Sequence, residues 1–104
     1  MKHQIPHGLS FDLAKRAAQS AVTSYQARFT EYKATGIWTT DTRCDVRFVA
    51  AGRNLSGTIE VNPRSIDLDL DVPMMLLPFK AMAMKVIEEE VRDWIAKAKA
   101  GQLG

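Results

Sequence analysis

Between Ser65 and Val72 the chain reads Ser-Ile-Asp-Leu-Asp-Leu-Asp-Val, with an aliphatic residue at every second position and an aspartate between. Side chains of an extended chain alternate between its two sides. Ile66, Leu68, Leu70 and Val72 therefore share one face, and Asp67, Asp69 and Asp71 the other. The pattern predicts a half-buried strand. Upstream, Cys44, Val46, Phe48 and Ala50 alternate with Arg43, Asp45 and Arg47, and Leu55, Gly57, Ile59 and Val61 alternate with Ser56, Thr58 and Glu60. Ala51-Gly52-Arg53-Asn54 reads as a tight hairpin turn in which Gly52 supplies the positive φ that two-residue loops demand, and Asn62-Pro63-Arg64 as a second turn.

With Gly52 and Arg53 as the first loop, Val46 faces Ile59 and Phe48 faces Gly57; with Pro63 and Arg64 as the second, Ile59 faces Leu68 and Gly57 faces Leu70. All three apolar faces then point the same way, a strong constraint because a slip of one residue turns every side chain over. The expectation is a three-stranded antiparallel meander.

Helical periodicity flanks it on both sides. Ser10 is placed to cap a helix starting at Phe11, with Asp12 in the first turn, and Ala14, Ala17, Ala18, Ala21, Val22, Tyr25, Phe29 and Tyr32 recur at spacings of three and four. Gly36 is suited to end that helix, and Trp38 opens the segment leading into the first strand. Past Pro78, Phe79, Met82, Ala83, Val86, Ile87, Val91, Trp94, Ile95 and Ala98 make an apolar stripe opposite Lys80, Glu88, Glu89, Arg92, Asp93 and Lys99. The fold class expected is α+β in two layers: helix, three strands, helix, with both helices on one sheet face. Lys2 to Pro6 can add a short N-terminal edge strand; residues 1–8 otherwise form a lead-in holding His3 and His7, and residues 101–104 a frayed tail.

At 104 residues the chain has room for one domain and one modest core. Its net charge of +2 comes from 14 basic and 12 acidic residues scattered along it, so it lacks the basic stripe of a nucleic-acid binder. Cys44, alone, cannot form an internal disulfide and sits on an apolar face, which fits a reducing compartment and an inert thiol. Charges interrupt every apolar run before it reaches membrane-spanning length, so the expected location is the cytoplasm. Neither the histidines nor the serines sit in a motif that would activate a nucleophile, and no phosphate-cradling glycine loop or paired-histidine metal motif occurs. No catalytic, cofactor or metal residue is assigned, and a non-enzymatic protein is expected.

His7-Gly8-Leu9 before an alanine-rich helix, Trp38 before the meander, Leu55-Ser56-Gly57-Thr58-Ile59, and Leu76-Leu77-Pro78-Phe79-Lys80 occur in an order and spacing that resemble the small bacterial polyhydroxyalkanoic acid system proteins. The resemblance covers nearly the whole chain. It implies a link to storage-polyester granules, and with it an accessory or interaction role whose partners are the granule or its proteins.

Three groups of residues are candidates for function. The register above sets Asp45, Glu60 and Asp67 in one row of carboxylates across the outward sheet face; arginines on that face would screen the row, and a hard cation is the less expected occupant. Met74, Met75, Leu76, Leu77 and Phe79 form a candidate docking patch where the sheet meets the second helix, with closure of the core as the simpler reading. Tyr25, Tyr32, Trp38 and Trp94 could line a pocket for an apolar or acyl ligand between helices and sheet, although aromatic residues at this spacing more often fill a core. A meander of three strands has two unpaired edges, and a homodimer through an edge or the polar face would relieve one of them.

Overall fold

The computed structural model of the chain describes residues 2–50, 52–71 and 77–101, with the backbone alone at residues 50 and 77–80. The elements run β1 (Lys2–Pro6), α1 (Phe11–Arg28), a 3-10 turn at Thr30–Tyr32, β2 (Thr35–Trp38), β3 (Arg43–Ala50), β4 (Arg53–Val61), β5 (Ser65–Asp71) and α2 (Leu77–Lys99). The strands form one antiparallel sheet in the order β1-β5-β4-β3-β2. The expected meander is its centre, widened by a strand at each edge.

Because β1 and β2 lie at opposite edges, the chain between them must cross the whole sheet. Helix α1 does this: its 18 residues span about 27 Å at 1.5 Å per residue, against roughly 19 Å between edge strands spaced about 4.8 Å apart. Ser10 Oγ caps it by accepting from Leu13 N–H at 3.2 Å, and Ala14, Ala17, Ala18, Ala21, Val22 and Tyr25 are buried. Small side chains bring this helix close to the sheet. A Cβ on Gly36 of β2 would lie 2.5 Å from Val22 Cγ1.

Gly36 is therefore a strand residue under a helix, not the helix terminator. Helix α1 ends at Arg28, the Phe29 amide still donates to Tyr25 O at 3.1 Å, and the left-handed turn falls on Lys33 at φ 52°. Trp38 correspondingly closes β2 instead of opening a connection.

Apolar residues of all five strands face the helices. Ile5, Cys44, Val46, Phe48, Leu55, Ile59, Val61, Ile66, Leu68 and Leu70 are buried, roofed by the α1 stripe and by Met84, Ile87, Val91, Ile95 and Ala98 of α2. Full burial of each larger aliphatic side chain contributes about 1.5–3 kcal/mol. The α2 stripe is rotated from the expected one: Met84 and Glu90 are buried, whereas Met82 is 58% exposed.

Ile59 faces Leu68 and Gly57 faces Leu70, as the pattern requires. Between β3 and β4, however, Val46 faces Gly57, Phe48 faces Leu55 and Cys44 faces Ile59. Ala50 pairs with Arg53, so the register lies two residues from that expected. A two-residue slip keeps every side chain on its face but changes its neighbour. The row Asp45, Glu60, Asp67 is thereby corrected: Glu60 and Asp67 share a rung with Arg43, and Asp45 shares one with Thr58 and Asp69.

His7 belongs to the fold and not to a loose lead-in. It is fully buried; its Nδ1 accepts from Leu9 N–H at 2.9 Å and its Nε2 lies 2.8 Å from Asn62 O. Since Nδ1 accepts, Nε2 carries the proton and donates. The ring pins the corner between β1 and α1 to the turn between β4 and β5.

Candidate functional site

Two surfaces emerge, a polar one and an apolar one. The polar surface is the sheet face away from the helices, which no described residue covers. Its central outward side chains form three rungs, Gln4-Asp67-Glu60-Arg43, Lys2-Asp69-Thr58-Asp45-Ile37 and Asp71-Ser56-Arg47-Thr35, with Val49-Asn54 and Pro6-Ser65 at its two ends. Two broad polar troughs of about 530 and 510 Å³ lie over it and meet at Thr58 and Asp69.

Asp67 is held by donors from Asn62 Nδ2 and Ser65 Oγ, each at 2.9 Å. Arg43 is held loosely, 3.9 Å from Asp45 Oδ1 and 4.0 Å from Glu60 Oε2. That Glu60 oxygen is shut from solvent and accepts no hydrogen bond. Among the described residues, no three His, Cys, Asp or Glu side chains converge as metal ligands.

The apolar surface is a cleft of about 100 Å³ between the C-terminal end of α1 and the first half of α2, lined by Tyr25, Phe29, Tyr32, Phe48, Met82, Ala83 and Val86. The aromatic residues follow one another around the chain turn that ends α1, with ring centroids 5.1 Å apart for Tyr25 and Phe29 and 6.3 Å for Phe29 and Tyr32. Tyr32 and Met82 reach solvent. Burial pushes the Tyr25 phenol up to about 12, with Tyr32 adding to the effect, so it remains protonated and offers no base. The cleft is well below the roughly 300–1,000 Å³ of small-molecule sites. It fits one or two apolar side chains or a short stretch of alkyl chain.

The aromatic pocket expected from sequence is not gathered in one place. Tyr25 and Tyr32 line the cleft, Trp94 borders a separate open groove along α1 beside Gln19, Thr23 and Ala27, and Trp38 packs against the core from β2. Between the helices and the sheet, a void of about 10 Å³ is left near Val22, Val46 and Ile59. Of the docking patch, Met74, Met75 and Leu76 lie outside the described residues; Leu77 and Phe79 fall in the first turn of α2, where only the backbone is described.

Periodicity reasoning passed over Glu90, which is buried between the helices, accepts from Trp94 Nε1 at 3.0 Å and pairs with Arg28 Nη1 of α1. The signal was present: position 90 lies three past Ile87 and four before Trp94, within the apolar stripe. At the β1 edge, His3 Nε2 stands 2.9 Å from Glu88 Oε1, close enough for an ion pair though out of line for a hydrogen bond. The Arg92 guanidinium, and after it His3, hold the Glu88 carboxyl below its usual range.

Cys44 is fully buried beside Ile59, and burial, with Asp45 next to it, moves its thiol from 9.0 to about 11. Because the folded protein resists the thiolate more than the unfolded chain does, the associated stability is complete below about pH 8 and declines as pH rises toward 11. At pH 8, Ellman's reagent should find no thiol in the folded protein and one after denaturation; rapid native labelling would contradict the burial.

Fold and surfaces together define a small two-layer α+β domain with one bare polar sheet face and one shallow apolar cleft. The family described as "Putative polyhydroxyalkanoic acid system protein" matches residues 2–95, and the chain belongs to it. No curated protein and no solved structure matches the chain. Among the described residues, no helix is long and apolar enough to cross a membrane.

Proposed function

We propose that the protein acts without catalysis as an accessory or interaction protein of the polyhydroxyalkanoate storage system, located in the cytoplasm and engaging the granule or its proteins through the apolar cleft. Family membership supplies the setting. The observation that carries the role is a contrast in room: about 10 Å³ inside, against a solvent-reaching apolar cleft of about 100 Å³ at Tyr32 and Met82. A void of 10 Å³ is no larger than a single water requires, which weighs against the alternative of an acyl ligand held between helices and sheet. The cleft instead suits brief apolar contacts, and exposed methionine adapts to irregular apolar surfaces.

Fractionation of polymer-filled cells carrying the tagged protein tests this. Part of the wild type should travel with the granules, and Met82→Glu, at an exposed position, should lower that share while leaving the melting temperature within a few degrees. A protein found wholly outside the granule fraction would defeat the granule contact.

A further inference from the structure

We propose that two copies of this chain pack their bare sheet faces together about a twofold axis running along β4, setting Arg43 and Arg47 of each against Asp67 and Asp71 of the other. The sheet register sets which charges meet. Arg43 and Asp67 lie on one rung, on opposite sides of β4, and Arg47 and Asp71 lie on another. Rotation about an axis parallel to β4 lays β3 of one copy over β5 of the other at the same height, so each arginine meets an aspartate. The other in-plane axis, across the strands through Thr58, would bring Arg43 over Arg47 and Asp67 over Asp71. Charge complementarity therefore selects the first arrangement.

Ile37, 61% exposed on β2, comes under Lys2 of the other copy, whose alkyl stem can cover it. Two like-charge pairings arise: Asp45 comes opposite Asp69, and Glu60, on the axis, comes opposite Glu60 of the other copy; Lys2 beside Asp69, and Arg43 within 4.0 Å of both Asp45 and Glu60, offset them. Asp67 is already oriented by Asn62 and Ser65, Arg43 is only loosely engaged, and Arg47 ion-pairs with none of the described residues. The two troughs leave room above both arginine–aspartate rungs for side chains from the second copy.

Both sheet edges are blunted, which turns association toward the face. His7 N–H donates to Arg64 O, so antiparallel geometry turns the backbone groups of Lys2, Gln4 and Pro6 outward, and Pro6 has no N–H. At the other edge, the outward N–H of Gly36 is taken by Gln26 Oε1 at 3.2 Å. Five strands by seven residues give a face of roughly 24 Å by 24 Å, about 1,100 Å² for the pair, close to the lower limit of about 1,000 Å² for a specific interface. The dimer should accordingly be weak and salt-sensitive.

Sedimentation velocity on the full chain across a concentration series tests this. The wild type should dimerise, with Kd rising about tenfold between low and high salt. Arg43→Asp with Arg47→Asp, and separately Asp67→Arg with Asp71→Arg, should each raise Kd about tenfold or more, and an equimolar mixture of the two variants should recover a 1:1 heterodimer. Arg43→Gln with Arg47→Gln serves if a charge reversal disturbs the sheet. A monomer at every concentration, a dimer indifferent to these substitutions, or a mixture that fails to associate would each overturn the proposal.

Discussion

Replacing Gly57 with valine should lower the melting temperature by roughly 15 °C, corresponding to about 3 kcal/mol in a domain of this size. Gly57 is buried in the middle of β4 with its bare side toward the helices. A Cβ there would lie 2.6 Å from Asp69 O and 2.7 Å from Leu70 Cδ2. The oxygen is backbone in a paired strand and cannot rotate aside, so relief requires β4 and β5 to separate within a close-packed core. Gly36→Ala should cost less, because the atom it meets at 2.5 Å is a Val22 methyl on a helix that can shift. Thermal melts of both variants beside wild type check the order; equal losses would show that the β4–β5 contact is not tighter than the α1–β2 contact.

The second large effect concerns the buried carboxylate between the helices. Arg28→Met should destabilise the protein by about 2–3 kcal/mol, because it leaves Glu90 buried with Trp94 as its remaining donor. The loss falls below the roughly 3–5 kcal/mol of a fully buried pair because 61% of the Arg28 side chain is open to water. Adding Glu90→Leu should recover most of the loss, since an apolar residue of similar bulk needs no counter-charge between α1 and α2. Denaturant titration of the two single variants and the double variant reads out the coupling. If Arg28→Met and the double variant are equally unstable, the pair is not what joins the helices.

These two sites also show what the sequence can and cannot convey. Alternation placed the residues it assigned, from Arg43 to Phe48, from Leu55 to Val61 and from Ile66 to Asp71, on their correct faces, and fixed the β4–β5 partners, because burial on one side forbids a one-residue slip; Arg53 and Asn54, expected in the turn, belong to β4. It is indifferent to a slip of two. Gly52 has φ 74°, and a glycine with positive φ suits either position of a two-residue loop. Phe48 consequently lies beside Leu55, Gly57 is flanked by Val46 and Leu70, and the carboxylate row dissolves into mixed rungs.

Strand β2 escaped the pattern because four residues are too few to establish a period, and Gly36 carries a plausible helix-stop signal. Its actual reason for being glycine, the closeness of Val22, is tertiary and invisible along the chain. The structural role of His7 is hidden in the sequence for a similar cause: its partner, Asn62 O, is 55 residues away. Glu90 was legible as an acid inside an apolar stripe, but its partner Arg28 was not. Of the functional surfaces, the outward aspartates and arginines could be assigned from sequence. The cleft required knowing how Phe29 and Tyr32 turn off the end of α1 to meet Met82.

One proposition underlies both surfaces: the helices roof a single side of the sheet and leave the other open. Thiol labelling of Asp67→Cys, Leu68→Cys and Asp69→Cys, with native Cys44 buried, tests it most directly when done at high salt on dilute protein. Positions 67 and 69 should react at the rate of a free thiol and position 68 about a hundredfold more slowly, reacting only through opening of the fold. Equal rates at the three positions, or fastest labelling at position 68, would contradict a sheet covered on one side.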